Sequence, residues 1–234
     1  MTILVFLLLC LLCIVVAILL RKFISLCLME NQADWGRRWL NVLDGFNRIL
    51  CNKYHRQHKH YVALPKHGAA VVVANHISGL DPFLLIAASK RPLRFMIARE
   101  EYERFGLTWL FKAVGCIPVD RKLNPIDALH EAIAVLDKGE VVAMFPHGGI
   151  QWPIHEDNRI KGGAIRIAQR KRCSLYPIYI HGVKVSGTTF LALFGRSRIE
   201  IDMHPPISCV DIDYQTCMDQ LLQILNVRRS KEGK

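Results

Sequence analysis

The chain has 234 residues, the length of one α/β domain with an appendage. It is 51% hydrophobic with a mean hydropathy of +0.19, high for a soluble enzyme, and the excess sits at the start. Lys plus Arg number 31 against 20 Asp plus Glu, a formal net charge of +11, so the surface attracts anions. With no zinc-finger spacing, basic zipper or aromatic RNA-binding motif, nucleic acid is excluded as the partner, and membrane lipids with anionic head groups remain.

From Thr2 to Leu20 no residue is charged, and as a helix these 19 residues reach about 28 Å, close to a bilayer's hydrocarbon thickness. A secretory signal peptide would carry positive charge ahead of the apolar run and an Ala-x-Ala site after it, whereas here Arg21 and Lys22 follow the run. The segment reads as an uncleaved anchor that spans the bilayer or lies along one leaflet, with a catalytic part on the cytoplasmic side. Phe23 to Met29 continue it along the interface. Of eight cysteines, Cys10, Cys13 and Cys27 lie in or beside this segment, and Cys51, Cys116, Cys173, Cys209 and Cys217 are scattered. Reduced thiols are expected, and the Cys10–Cys13 spacing reads as packing in a membrane helix.

Trp35, Trp39, Leu40, Leu43, Phe46, Ile49 and Leu50 recur at helical spacing with Arg37, Arg38 and Arg48 among them, which predicts an amphipathic helix facing either the membrane interface or a core. Lys53 to His60 is basic and His-rich and reads as an exposed linker or a short edge element. His55, His58 and His60 lack a nearby carboxylate or Cys partner, so a solvated face near lipid phosphates is expected over a metal site. The resulting division is a membrane anchor over 1–29, an interfacial helix and basic linker over 30–60, and an α/β domain over 61–234.

Past Gly68, short apolar runs alternate with amphipathic helices, the pattern of a mostly parallel sheet flanked by helices. Strands are predicted over Ala69–Ala74, Leu93–Ile97, Cys116–Val119, Val141–Phe145, Leu175–Ile180 and Ile199–Met203, several of them Val/Ile runs that suit burial on both faces. Ile126, Leu129, Ile133 and Leu136 mark one face of a helix that Gly139 ends, and Asp211 or Asp213 caps a last helix through Leu225.

Ala74-Asn75-His76-Ile77-Ser78-Gly79-Leu80-Asp81-Pro82-Phe83 follows the first strand, and Pro82 is suited to the first turn of a helix. Functional residues of open α/β sheets collect at such strand ends. Imidazole is the side chain whose proton affinity lies nearest neutrality, which suits His76 to take a proton from a hydroxyl. Asp81 can return through the turn to fix its tautomer, as an Asp does in a serine-hydrolase triad. By spacing alone, a structural His beside an N-capping Asp fits equally. No Gly-x-Ser-x-Gly elbow is present, and Ser78 sits too near His76 in sequence to be the nucleophile.

Asn-His-x4-Asp-Pro after a Val-rich strand resembles the signature of the lysophosphatidate acyltransferase superfamily. Gly115-Cys116-Ile117-Pro118-Val119-Asp120-Arg121 is similar to its Gly-x-x-x-x-Asp-Arg block. Phe145-Pro146-His147-Gly148-Gly149 aligns with its Phe-Pro-Glu-Gly-Thr-Arg block but has His147 for Glu, Gly149 for Thr and Ile150 for the basic residue. Arg159-Ile160-Lys161-Gly162-Gly163-Ala164 and Tyr176-Pro177-Ile178-Tyr179-Ile180 are similar to its basic Gly-Ala helix start and Val-Pro-Val strand.

The resemblance covers about residues 62 to 185 and implies a helix-flanked α/β fold and an O-acyltransferase. Such an enzyme moves a fatty acyl group from acyl-CoA or acyl carrier protein to the hydroxyl of 1-acylglycerol-3-phosphate or a related lysolipid in phospholipid biosynthesis, without a metal or other cofactor. His76 and Asp81 are the implied catalytic pair and Arg121 the acceptor phosphate contact, its forked guanidinium matching phosphate oxygens. His147, Gly148 and Gly149 are expected at the acceptor, and Arg159 and Lys161 in an anion cradle. Loss of the Glu and Arg from the third block leaves open a transacylase or lysophospholipid-remodelling activity, or a lipid-binding protein without turnover.

Overall fold

The computed structural model describes residues 2–58, 61–121, 125–150, 159–184 and 191–226. It begins with α1 (Thr2–Glu30) and α2 (Arg38–Ile49), which runs into a π-helical turn over Leu50–Tyr54. There follow β1 (Ala70–Ala74), α3 (Asp81–Ala88), β2 (Leu93–Ala98), α4 (Arg99–Tyr102), α5 (Thr108–Ala113) and β3 (Ile117–Val119). The remainder comprises α6 (Pro125–Asp137), β4 (Val141–Met144), α7 (Gly163–Lys171), β5 (Leu175–His181), β6 (Glu200–Met203) and α8 (Tyr214–Asn226).

The six strands form one sheet in the order β3-β2-β4-β1-β5-β6, parallel except for the antiparallel β6. All six predicted strands exist. Four predicted ends lose one residue, and β2 and β5 each gain one, because ladder pairing rather than apolarity decides where a strand stops; the β1–β4 ladder opens at Ala70 opposite Val141, leaving Ala69 outside. Every residue of β1 is buried. Val71 and Val73 pack on one face with α6, α7 and α8, while Ala70, Val72 and Ala74 pack on the other with α3. This two-sided covering is what a continuous Val run requires.

Helix α1 is long and apolar enough to cross a membrane, and its large side chains over most of its length are 40–77% exposed. Its last turns cross α2 so closely that a Cβ on Gly45 would lie 1.7 Å from the Cys27 carbonyl oxygen, so only glycine fits there.

Arg48, one of the basic residues of the predicted amphipathic helix, is buried. Its guanidinium bonds both Asp44 oxygens (2.6 and 3.2 Å) and donates to the carbonyls of Ile86, Ala87 and Ser89 at the end of α3. Asp44 also accepts from the Asn31 amide, the Gln32 N–H and the Trp35 indole. Trp35 therefore lies ahead of α2, serving this knot rather than the helix stripe. Two more donors hold α3, with Asn47 Nδ2 on Phe83 O (2.9 Å) and Gln57 Nε2 on Leu84 O (3.1 Å).

The His-rich stretch differs from expectation in the same way, since His55 and Gln57 are buried beneath α3 and the 191–199 segment instead of solvated. Burial pushes the His55 pKa down, against a smaller opposing contribution from the Leu193 and Gly195 carbonyls. His60 lies outside the described residues. The expectation of reduced thiols fails at one pair, because Cys209 and Cys217, both buried just before and inside α8, are joined as a disulfide.

Candidate active site

The corner between β1 and α3 is built by two side chains that bond the backbone. Asn75 takes the place of a strand residue, its Nδ2 donating to Ile180 O (2.8 Å) and its Oδ1 accepting from Ile180 N (2.7 Å). This completes the edge toward β5 with an amide side chain and lets the main chain leave the sheet at His76.

Asp81, the first residue of α3 and fully buried, gathers that departing loop. Its Oδ2 accepts from Ile77 N (2.6 Å) and Ser78 N (2.8 Å) and lies 2.8 Å from His76 Nδ1; Ser78 Oγ donates to its Oδ1 at 2.8 Å. A carboxylate only accepts, so the geometry assigns the proton to Nδ1 and leaves the lone pair on Nε2. The imidazole is also stacked on Phe145 at 4.1 Å and 14°. Carboxylate and aromatic face together fix the ring, with 16% of the side chain still exposed.

His76 lines a mostly apolar cleft of about 540 Å³ between α2, α3, β2 and the α4–α5 segment. Gly79, Phe83, Ile86, Phe95, Leu110 and Phe111 contribute to its wall, and Arg121, Gly149 and Ile150 reach it as well. Arg121 thus shares the cleft with His76, at the far end of the Gly-x-x-x-x-Asp-Arg block. Asp120 faces Arg99 at 3.4 Å, while Arg121 has Glu100 3.9 Å away.

Neither possible enzyme nucleophile in this region is activated. Ser78 is buried with its hydroxyl committed to Asp81. Cys116 lines the cleft, but burial pushes its pKa up to about 12, so the thiol stays protonated.

The third block is only partly brought to the cleft. Gly148 turns at φ 79° and spends its N–H on Phe145 O (3.1 Å). His147 lies behind the lining with its ring nitrogens shielded from solvent, whereas Gly149 and Ile150 are exposed to the cavity.

Lys161 lies over Gly148, where a Cβ would come within 2.8 Å of its ammonium nitrogen, and its N–H donates to Pro146 O. It braces the loop and is not among the lining residues. Arg159 is exposed and likewise outside the lining. Gly162 has a packing reason of its own, since a Cβ there would collide with the Tyr214 hydroxyl at 1.6 Å. Among the described residues, the lining of the His76 cleft thus includes neither Arg159 nor Lys161. Asn75 stands in the quoted motif without a role, and its position directly after a buried Val run was the available signal for one.

The Acyltransferase family profile matches residues 55–181, more than half the chain and all of this corner. The chain belongs to the acyltransferase family. It is 28% identical over 144 residues to a 1-acyl-sn-glycerol-3-phosphate acyltransferase of Streptococcus pneumoniae, covering 61% of this chain and 51% of that one. A Bacillus subtilis protein of the same name is 24% identical over 159 residues, covering 68% and 76%. The chain thus spans about half the length of the first relative. The crystal structure of a 1-acyl-sn-glycerophosphate acyltransferase from Thermotoga maritima superposes with a TM-score of 0.58 at 18% identity, over 85% of this chain and 84% of that one. The acyltransferase of known structure therefore shares the fold, a mixed α/β sheet flanked by helices.

Proposed function

We propose that this protein transfers a fatty acyl group from a thioester donor, acyl-CoA or acyl carrier protein, to the hydroxyl of 1-acylglycerol-3-phosphate or a related lysolipid. The observation that carries the reading is the His76–Asp81 contact at 2.8 Å on the wall of an apolar cleft. The acceptor oxygen attacks the thioester carbonyl carbon while Nε2 of His76 takes its proton. A C–O bond forms, the tetrahedral oxyanion collapses, the C–S bond breaks, and the imidazolium returns the proton to the departing thiolate. Asp81 stabilises the imidazolium between those steps. The Gly149 peptide at the lining suits the oxyanion, and Arg121 suits an acceptor phosphate.

The reaction balances without a metal or cofactor. The relatives' names, the apolar α1 and the positive charge that follows it support lipid substrates and a catalytic part on the cytoplasmic side. His76→Ala in membranes supplied with a radiolabelled acyl thioester should lose transfer by about three decades, the span of general-base and orienting effects combined. Activity near wild type would sink the mechanism.

Ile150 at the lining, where the family carries a basic residue, favours a second reading in which the acceptor has a bulkier or less anionic head group, as in remodelling. Competition between lysophosphatidate and lysophosphatidylcholine for one labelled donor separates the two.

A further inference from the structure

A continuous line of exposed apolar side chains joins α1 to the rim of the cleft. Phe23 of α1 meets Phe46 of α2 edge-on at 5.9 Å. Phe46, Leu43 and Trp39 follow along one stripe of α2, each more than a third exposed. Trp39 meets Trp109 of α5 at 5.7 Å. Trp109, 61% exposed, donates its indole N–H to Gly106 O at 2.9 Å. That carbonyl belongs to a tight turn closed by Leu107 N on Arg104 O (3.0 Å), with Gly106 at φ 79° in its third position. Phe105 stands at the tip, 101% exposed. A row of large apolar side chains left this bare marks a contact surface.

We propose that the Arg104–Trp109 turn is a second membrane contact, which inserts Phe105 and Trp109 into the interfacial region of the leaflet that α1 enters, so that the cleft opens into lipid rather than water. Lipid is the occupant because the row is continuous with the one helix among the described residues long and apolar enough to enter a bilayer. The chemistry agrees. An indole whose N–H is already bonded can enter the headgroup region at little polar cost. Arg37, Arg38 and Lys112 are exposed on the elements that carry the row and suit lipid phosphates. Glu101 and Glu103, the carboxylates just before the turn in sequence, are paired with Arg104 and Arg99. Leu43, Arg104 and Leu107 also line the cleft, so the row is the cleft's own rim, and planting it in lipid places the mouth at the depth of a lysolipid's glycerol.

The binding claim stands without the acyl-transfer reading, and only its catalytic consequence rests on that reading. The test uses the full chain reconstituted in phosphatidylcholine–phosphatidylglycerol vesicles with bromine in the upper acyl chains. The fluorescence difference between wild type and Trp109→Phe isolates the Trp109 signal, which should fall about two-fold or more relative to unbrominated vesicles while resisting aqueous iodide, as for an interfacial indole. Quenching by iodide but not bromine would put Trp109 in water. Quenching by neither would put it under protein, a second copy included, and either result overturns the proposal. In a second arm, Phe105→Ser should slow transfer onto a vesicle-embedded acceptor about five-fold while staying within about two-fold of wild type on a soluble short-chain acceptor, since the ring packs on nothing. Equal loss on both acceptors, or on neither, overturns the gating role. If no acceptor is acylated at all, the transfer reading fails while the bromine result still decides the membrane contact.

Discussion

Asp81 separates geometry from charge at the reacting corner. In Asp81→Asn, the amide oxygen can keep the Ile77 and Ser78 N–H groups and the Nδ1–H of His76, while the new NH2 meets a Ser78 hydroxyl able to rotate and accept. The fold should survive, but the imidazolium loses its counter-charge. By the precedent of the serine-protease triad, kcat should fall by up to roughly 10^4-fold with thermal stability little changed, checked by turnover and melting on one preparation. Arg121→Ala should leave kcat within a few-fold and raise the apparent KM for an anionic acceptor about ten-fold or more, as loss of a charge-assisted contact predicts; titrating acceptor at saturating donor reads this directly. That His76 and Asp81 meet was legible in the sequence, because their spacing after a Val run fixes where the chain turns. That His147, Arg159 and Lys161 stand outside the lining of the cleft was not, because a motif fixes order along the chain rather than position in space.

At the scale of elements, the knot around Asp44 ties the end of α1, α2 and the end of α3 together. Arg48→Met leaves the Asp44 carboxylate buried without its cation and strands the Ile86, Ala87 and Ser89 carbonyls. Breaking a buried pair from one side costs about 3–5 kcal/mol, to be read as a loss of melting temperature in detergent. Asp44→Leu combined with Arg48→Met should recover part of it, because the lone buried charge is then gone. An Asp and an Arg four apart on an amphipathic helix are ordinarily an exposed couple. Only the arrival of α3 overhead, some forty residues later, turns it inward. The strands were readable for the opposite reason, since their burial on both faces is written in their own Val and Ile content.

Across the whole molecule, His55 gives stability a sign with pH. Its folded pKa lies below the ordinary value of 6.5 because burial disfavours the cation, so the unfolded chain binds the proton more tightly. The contribution is fully present above the unfolded pKa and is lost as pH falls toward the folded one. Melting temperature should therefore drop on acidification from about pH 7 to pH 5, and His55→Asn should make that slope shallower. An unchanged slope would assign the acid loss elsewhere.

The sheet itself has a seam at β1 and β5, which the Asn75 amide fastens just where the chain departs toward His76. That fastening is directional, with one atom of the pair giving a hydrogen and the other receiving one. Asn75→Asp, nearly identical in outline, would set a lone pair against the Ile180 carbonyl where a donor is needed. What the seam selects is thus the polarity order along three atoms rather than their shape, and a swap that looks conservative on paper would open the sheet beneath His76.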